Sequence, residues 1–323
     1  MSDVVNWGIL GAANFAREQM GRAIHAAEGA RLSALATSSA AKADGFKAFC
    51  PDLRVHSSYD DLLADPDIDA VYIPLPNHMH VEWATKALNA GKHVLCEKPV
   101  ALKADEIDGL IALRDQTGLL AAEAYMIVHH PQWQRVKELV KAGAIGTLMQ
   151  VNGQFSYYND DKANIRNQAD TGGGGIRDIG VYTYGSARYV TGEEPIDVRS
   201  QVTFENGVDT IAHCQAEFPS FSYSATVSTR MYARQEMVFH GTEGMIRVNV
   251  PFNAGVHGMA EIEIHQPNMG VRHELFPDVN HYVEQVQNFC ASVRDGREYP
   301  CSLEFSQGTQ RMLDMVFAAA NKG

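Results

Sequence analysis

Between residues 4 and 124, short runs of β-forming residues alternate with longer runs whose apolar residues recur at helical spacing. No other feature limits the fold as strongly. The β-like runs lie at 4–10, 31–37, 70–74, 92–96 and 119–124, and the helical runs at 14–28, 42–49, 78–90 and 104–117. Val81, Ala84 and Leu88 mark one apolar helix face. Strand, helix and strand in repetition build a parallel sheet covered on both faces, and right-handed crossovers make it doubly wound.

After Pro131 the pattern changes. A helical segment over 132–142 ends at Gly143, a residue suited to a helix C-cap. Strands then dominate from 147 to about 276, with Thr203, Ile211, Val227, Val238, Ile246 and Ile262 in β-branched runs separated by turns such as Asn206-Gly207. Helices are expected over 176–190, 282–294 and 305–321. The chain therefore reads as α/β: an N-terminal doubly wound (Rossmann) parallel sheet over 1–123, then a C-terminal α+β domain over 124–323 with a large, mostly antiparallel open sheet.

Composition narrows the partners. In 323 residues, 27 Lys and Arg face 39 Asp and Glu, a net charge of -12, and the basic residues are scattered singly or in pairs. Such a surface repels nucleic-acid phosphates and anionic lipid, so neither nucleic acid nor membrane is expected as a partner. No stretch approaches the roughly 20 apolar residues of a membrane span, and Val4-Val5-Asn6-Trp7-Gly8 follows Asp3 with no basic, signal-like start. Five cysteines, odd in number and without a Cys-x-x-Cys pair, speak against a disulfide framework or a zinc ribbon. A cytoplasmic location fits these features.

Gly8-Ile9-Leu10-Gly11-Ala12-Ala13-Asn14-Phe15-Ala16 sits between the first strand and the first helix, where a dinucleotide fingerprint has physical meaning. Helix N-terminal amides there can hold a pyrophosphate, with Gly11, Ala12, Ala13, Asn14 and Phe15 as the binding loop. Ala13 stands where the strict pattern has glycine, so one methyl crowds the approach. The competing reading is a plain tight turn. At the end of the second strand, where NAD-binding folds place an acid, the chain reads Thr37-Ser38-Ser39-Ala40-Ala41-Lys42. Hydroxyls and an ammonium suit a 2'-phosphate, which favours NADP over NAD, with Thr37, Ser38 and Lys42 as contacts. The alternative is that these residues only cap a helix.

Three further motifs follow in order: Pro74-Leu75-Pro76-Asn77-His78-Met79-His80, Cys96-Glu97-Lys98-Pro99, and Gly172-Gly173-Gly174-Gly175-Ile176-Arg177-Asp178-Ile179-Gly180-Val181-Tyr182. Together they resemble the Gfo/Idh/MocA oxidoreductases, in particular the branch of glucose-fructose oxidoreductase, dimeric dihydrodiol dehydrogenase and sugar dehydrogenases. His240-Gly241-Thr242-Glu243-Gly244 looks like the family's sheet turn, which extends the resemblance over nearly the whole chain.

The resemblance implies reversible hydride transfer between nicotinamide C4 and a hydroxyl or carbonyl carbon of a sugar or related polyol. It implies Lys98 aimed at the reacting oxygen, Pro99 after a cis bond, Tyr182 as catalytic acid/base, and Asp178 accepting a substrate hydroxyl or orienting Lys98. Asp178 and Tyr182, four residues apart, share one helix face. An adjacent Lys98 cation would stabilise the Tyr182 phenolate. Pro74, Leu75, Asn77, His80, Glu97 and Arg166 are implied near the cofactor, with Asn77 and His80 at the nicotinamide ribose. Tyr125, Tyr157 and Tyr158 are candidate pocket walls, against a reading as simple packing. In Tyr125-Met126-Ile127-Val128-His129-His130-Pro131, Val128 falls where relatives often carry Arg.

His78-x-His80 and His129-His130 lack the carboxylate or Cys that would complete a metal set, so no metal is expected. Two other functions stay open: an enzyme using bound NAD(P) as a transient redox relay on a sugar or glycoside, and a catalytically silent NADP-binding regulator. An open sheet with an apolar outer face needs a cover, so a homodimer or homotetramer through the C-terminal sheet is expected.

Overall fold

The computed structural model describes residues 4–267 and 270–320. The chain divides into two compact units, one running to Met126 and taking in Asn280–Gln307, the other comprising Ile127–Val279 and the chain from Gly308 onward.

The first unit holds a six-stranded sheet of β1 (Val5–Leu10), β2 (Ala30–Ala36), β3 (Arg54–His56), β4 (Ala70–Ile73), β5 (His93–Cys96) and β6 (Ala121–Glu123). The order is β3-β2-β1-β4-β5-β6, parallel throughout. The chain leaves β1 toward one edge and returns beside it as β4, so the carboxyl ends of β1 and β4 form the topological switch point where such sheets bind ligands. Every residue of β4 is buried, as a strand covered on both faces requires. The strand β3 has no counterpart among the expected runs. It is a three-residue edge strand, largely exposed, and carries no apolar pattern to announce it.

Around the sheet lie a π turn (Ala16–Met20) leading into α1 (Gly21–Ala26), α2 (Ala40–Lys47), α3 (Tyr59–Leu63), α4 (His80–Asn89) and α5 (Glu106–Thr117). Gly118 ends α5 with φ +66°, a left-handed C-cap. The strand pattern alone places residues 281–307 in the second domain. In the structure the helix His281–Asp295 packs against β1, β2 and α1 instead. Its buried stripe of Tyr282, Val286, Phe289 and Cys290 explains this, with the Phe289 ring 4.8 Å from that of Trp7 in β1.

The second unit begins with α6 (Pro131–Lys141) and holds an eight-stranded sheet of β7 (Leu148–Tyr158), β8 (Asp197–Glu205), β9 (Val208–Glu217), β10 (Ser222–Ser228), β11 (Arg230–Gly241), β12 (Met245–Val248), β13 (Ala260–Gln266) and β14 (Gly270–Phe276). The order is β14-β13-β12-β11-β7-β10-β9-β8, antiparallel except where β7 meets β10. Asn206 (φ +51°) and Gly207 (φ +81°) form the two-residue turn joining β8 to β9. One sheet face carries Val151, Phe155, Tyr223, Val227, Phe239 and Ile246, all buried, and is covered by α6 and by α7 (Val181–Thr191), which continues a π turn (Ile176–Gly180). The opposite face presents Asn152, Gln154, His213, Gln215, Ser224, Thr226, Arg234 and Glu236. That face is polar, where an apolar one is expected. Strict alternation along β7, β9 and β10 sends the apolar residues to the helix side.

The five cysteines are all buried with free thiols. Among the described residues no helix is long and apolar enough to cross a membrane.

Candidate active site

In the first unit, Gly11 follows β1 with φ +101°, and a Cβ built there would lie 2.9 Å from Leu75 Cδ2 and 3.2 Å from the Tyr59 hydroxyl. Only glycine fits both the dihedral and the space. The Gly11 N–H donates to the Ala36 carbonyl (3.0 Å), tying the loop to the end of β2, and Arg17 N–H donates back to Ala13 (3.1 Å), where helical turns begin. Ala12 and Ala13 are half-buried, Asn14 is exposed, and Phe15 packs edge-on against Tyr282 at 5.5 Å. A strand, a side-chain-free corner and open helix-start amides fit a dinucleotide pyrophosphate.

At the end of β2, Ser39 Oγ accepts the Lys42 N–H (3.3 Å), and Thr37 Oγ1 accepts the Ser39 N–H (3.2 Å). Ser39 is thus the N-cap of α2, one of the two readings of this segment. The cap uses neither Ser38 nor the Lys42 ammonium, and both residues are exposed. The cap therefore leaves the other reading open.

The ends of β4, β5 and β6 form a tight network. After β4 come Pro74, Leu75, Pro76 and half-buried Asn77; after β5 come Glu97, Lys98 and Pro99, with a cis Lys98–Pro99 bond. Tyr72 donates its hydroxyl to Glu97 Oε1 (2.6 Å), and the Lys98 N–H reaches Glu97 Oε2 (3.3 Å). Glu97 therefore holds the turn beneath Lys98. Glu123, 3 % exposed, accepts the Val100 N–H at 2.8 Å. Burial pushes its carboxyl up, the Val100 and Ser306 hydrogen bonds pull it down, and Glu97 and Lys98 act on it with opposite signs.

Two implied contact residues take other places. His80 is wholly buried, with Nδ1 2.8 Å from the Pro99 carbonyl and Nε2 2.7 Å from the Leu75 carbonyl. Both ring nitrogens are engaged by backbone, so the side chain supports these loops rather than touching a ribose. Tyr125 is likewise 0 % exposed and lies 5.9 Å from the Phe305 ring. It is packing, not a pocket wall.

In the second unit Tyr157, Arg166 and Asp178 meet. The Tyr157 hydroxyl donates to Asp178 Oδ2 (2.6 Å), and Arg166 Nε lies 2.9 Å from Asp178 Oδ1. Burial and the Asp178 charge push the Tyr157 phenol well above its ordinary range. Tyr157 thus orients the carboxylate as a neutral donor. Tyr158 is exposed and donates to Asp160 (3.1 Å). Tyr182 is 7 % exposed, its ring stacked 5.6 Å from that of Phe252 and tilted 6.0 Å from that of Phe155. Asp178 lies on a π turn and Tyr182 on the α7 turn that follows, a geometry that is rare and frequent at functional sites.

The glycine run explains how these segments are joined. The Gly174 N–H donates to the Arg166 carbonyl (2.9 Å) and the Gly173 N–H to the Gln168 carbonyl (3.0 Å). A Cβ on Gly173 would lie 2.6 Å from the Arg166 carbonyl oxygen, and one on Gly174, at φ +115°, would lie 2.0 Å from Asp209 Oδ1. Asp209, on β9 and 2 % exposed, was no part of the expected set. The signal for it was a lone acid inside a β-branched strand, a residue that burial tolerates only with partners.

His129 and His130 are buried, and burial pushes their values down to about 3 and about 4. Glu261, Glu263 and His273 do lie within reach of one ion, but Asn249 donates to both carboxylates (3.1 and 2.7 Å) and Arg247 lies 4.0 Å from Glu263.

Comparison with known proteins adds to this geometry. The family described as an oxidoreductase family with an NAD-binding Rossmann fold matches residues 5–125, and the GFO/IDH/MocA C-terminal domain matches 133–247. An uncharacterized oxidoreductase of Rhizobium meliloti is 36 % identical, covering 99 % of this chain and 98 % of its own. D-xylose 1-dehydrogenase (NADP(+)) 2 of Haloferax volcanii is 31 % identical, covering 98 % of each. A solved 3-ketoreductase from Actinomadura kijaniata, in complex with NADP and TDP-benzene, superimposes with a TM-score of 0.89 at 26 % identity over 98 % of both chains.

Proposed function

The chain belongs to the Gfo/Idh/MocA family of oxidoreductases, and from that premise we propose an NADP-preferring dehydrogenase or reductase acting on a sugar, a sugar derivative or a trans-diol. The observation that carries the reading is the Asp178 carboxylate, held by a phenol on one oxygen and a guanidinium on the other, one turn before Tyr182. A fixed carboxylate is the natural acceptor for a substrate hydroxyl, and a polyhydroxylated ligand supplies such groups. A relative named as an NADP(+)-dependent D-xylose dehydrogenase and a 3-ketoreductase solved with NADP support the same class.

The cofactor is assigned to Gly11, Ala12, Ala13, Asn14 and Phe15 for the pyrophosphate, Thr37, Ser38 and Lys42 for the 2'-phosphate, and Pro74, Leu75 and Asn77 beside the nicotinamide half. Bound NADP supplies or accepts the hydride. The chain's own residues do the rest: Lys98 polarises the substrate oxygen, Tyr182 passes the proton to or from it, and Asp178 with Arg166 and Tyr157 orients neighbouring hydroxyls. Glu97 and His80 hold the Lys98 turn. Retention of Lys98, Asp178 and Tyr182 together favours an enzyme over a silent regulator. Residues 124–279 are assigned the substrate and the contact between copies. A second copy on the outward sheet face would meet polar side chains, and sedimentation at micromolar concentration tests whether it does.

The decisive experiment is a screen of NADP+ reduction against aldoses, inositols, anhydrosugars and trans-diols, with NADPH oxidation by keto-sugars as the reverse arm. Turnover in at least one class is expected, with Tyr182→Phe falling by about 10²- to 10⁴-fold. Tight NADP binding with no turnover in any class favours the regulator. Product without net NADPH favours the relay.

A further inference from the structure

We propose that Asp209 is a positioning residue for the substrate-orienting carboxylate: from the sheet it anchors the helix start that carries Asp178 and Tyr182. The proposal rests on the function assigned above and goes beyond it, since Asp209 touches none of the groups assigned to substrate.

Two chain segments meet at this carboxylate, β9 and the glycine run that opens the π turn, and a third is tied to them through Gly174. Oδ2 accepts the Ile176 N–H at 2.6 Å, at the first residue of the π turn. Oδ1 fills the space beside Gly174 so closely that any Cβ there would lie 2.0 Å from it. Gly174 in turn donates to the Arg166 carbonyl and accepts the Asp178 N–H (3.1 Å). The segment bearing Arg166 and the turn bearing Asp178 are therefore pinned to each other at Gly174 and to β9 through Asp209. The Arg166–Asp178–Tyr157 contacts depend on that relative placement.

The anchor is also electrostatic. Open helix-start amides favour a negative charge. Burial outweighs the Ile176 and Gly175 amides and the Arg177 guanidinium, which pull the Asp209 carboxyl down, and leaves it raised to about 6. The titratable groups facing it are Arg177 from the π turn and Tyr184 from α7. Protonation would replace the charged acceptor of the Ile176 N–H by a neutral carboxyl, so the geometry of the turn is expected to change as pH falls through this range, although the raised value makes protonation favourable to the stability of the fold.

Asp209→Asn in the full chain tests this by crystallography, NADPH fluorescence titration and steady-state kinetics on the substrate from the screen. In the variant crystal the Tyr157–Asp178 hydrogen bond is expected to be lost or displaced, with NADPH affinity within about twofold of wild type. Turnover should fall by about 10- to 100-fold, the scale of a misplacement near 1 Å. Arg177→Gln is the second variant: by removing the cation that favours ionised Asp209, it should move the acidic limb of the kcat profile to higher pH. An intact Tyr157–Asp178 bond with wild-type turnover in Asp209→Asn overturns the proposal, as does an acidic limb unmoved in Arg177→Gln. The crystallographic arm needs no substrate, so a failed screen counts against the assigned function and leaves the positioning claim decidable. If Asp209→Asn does not fold, the Arg177→Gln profile decides.

Discussion

His80 Nδ1 lies 2.8 Å from the Pro99 carbonyl oxygen, and the same ring reaches the Leu75 carbonyl at 2.7 Å through Nε2. One wholly buried imidazole thus clasps the turn after β4 to the turn that carries Lys98. Burial lowers the His80 pKa, while the two carbonyls and their demand for N–H donors raise it. The neutral ring has one N–H, so it donates to one of the two carbonyls and contacts the other; His80→Phe, similar in volume and without nitrogen, removes that hydrogen bond and leaves a buried carbonyl without its donor. Unfolding free energy should drop by about 1–3 kcal/mol. Turnover should fall at least about tenfold as Lys98 loses its fixed turn. Urea unfolding and kcat on the same preparation check both, and unchanged turnover would show that the turn holds its shape without the clasp.

The α2 start makes a separate prediction about the cofactor. Ser39 is spent on capping, whereas exposed Ser38 and Lys42 stand beside it. A 2'-phosphate placed there gains an ammonium and a hydroxyl that a bare 2'-hydroxyl cannot use. Lys42→Ala should weaken NADPH binding by about tenfold and leave NADH binding within about twofold, a difference near 1.4 kcal/mol. Parallel fluorescence titrations decide it: equal losses for both cofactors would place the 2'-phosphate elsewhere.

Much of this was legible in sequence, for identifiable reasons. Alternating strand and helix periods are local signals, and β1, β2, β4, β5 and β6 follow the expected runs closely. Asn206-Gly207 forms its two-residue turn because only such residues accept positive φ in succession. What escaped depends on distant partners. The helix His281–Asp295 joins the first unit because Phe289 finds Trp7, far away in the chain. Tyr125 and His80 have the residue types of a site but are wholly buried, and only the fold shows that their polar or aromatic groups are spent on packing and backbone. Asp209 becomes meaningful only once the glycine run is seen folded around it.

Gly11 offers a sharper backbone test. At φ +101°, with Leu75 and Tyr59 closing on the missing Cβ, Gly11→Ala must distort the corner between β1 and the first helix. The strain of such a φ alone is of order 1–2 kcal/mol, and the contact adds to it. Thermal unfolding should shift downward and NADPH affinity should fall by more than tenfold. A variant with wild-type affinity would show that the pyrophosphate does not use this corner.

Acid sensitivity should trace in part to His130. Burial lowers its pKa from the ordinary 6.5 to about 4, so the folded chain holds it neutral while the unfolded chain protonates it. For a depressed value the stability is fully present above about pH 6.5 and is lost as pH falls toward 4. Between these limits one histidine costs about 1.4 kcal/mol per pH unit at most. Burial acts on His129 in the same direction, whereas Asp209, with a raised value, acts in the opposite one, so the total slope is a sum and a single variant is the cleaner probe. His130 Nδ1 also accepts the Gln132 N–H (3.1 Å) as the N-cap of α6. His130→Asn keeps a capping oxygen and removes the titration. Unfolding free energies measured from pH 7.5 to 4.5 should therefore show a shallower decline in the variant, by up to one proton's worth of slope. Parallel curves would mean that His130 takes up its proton without unfolding.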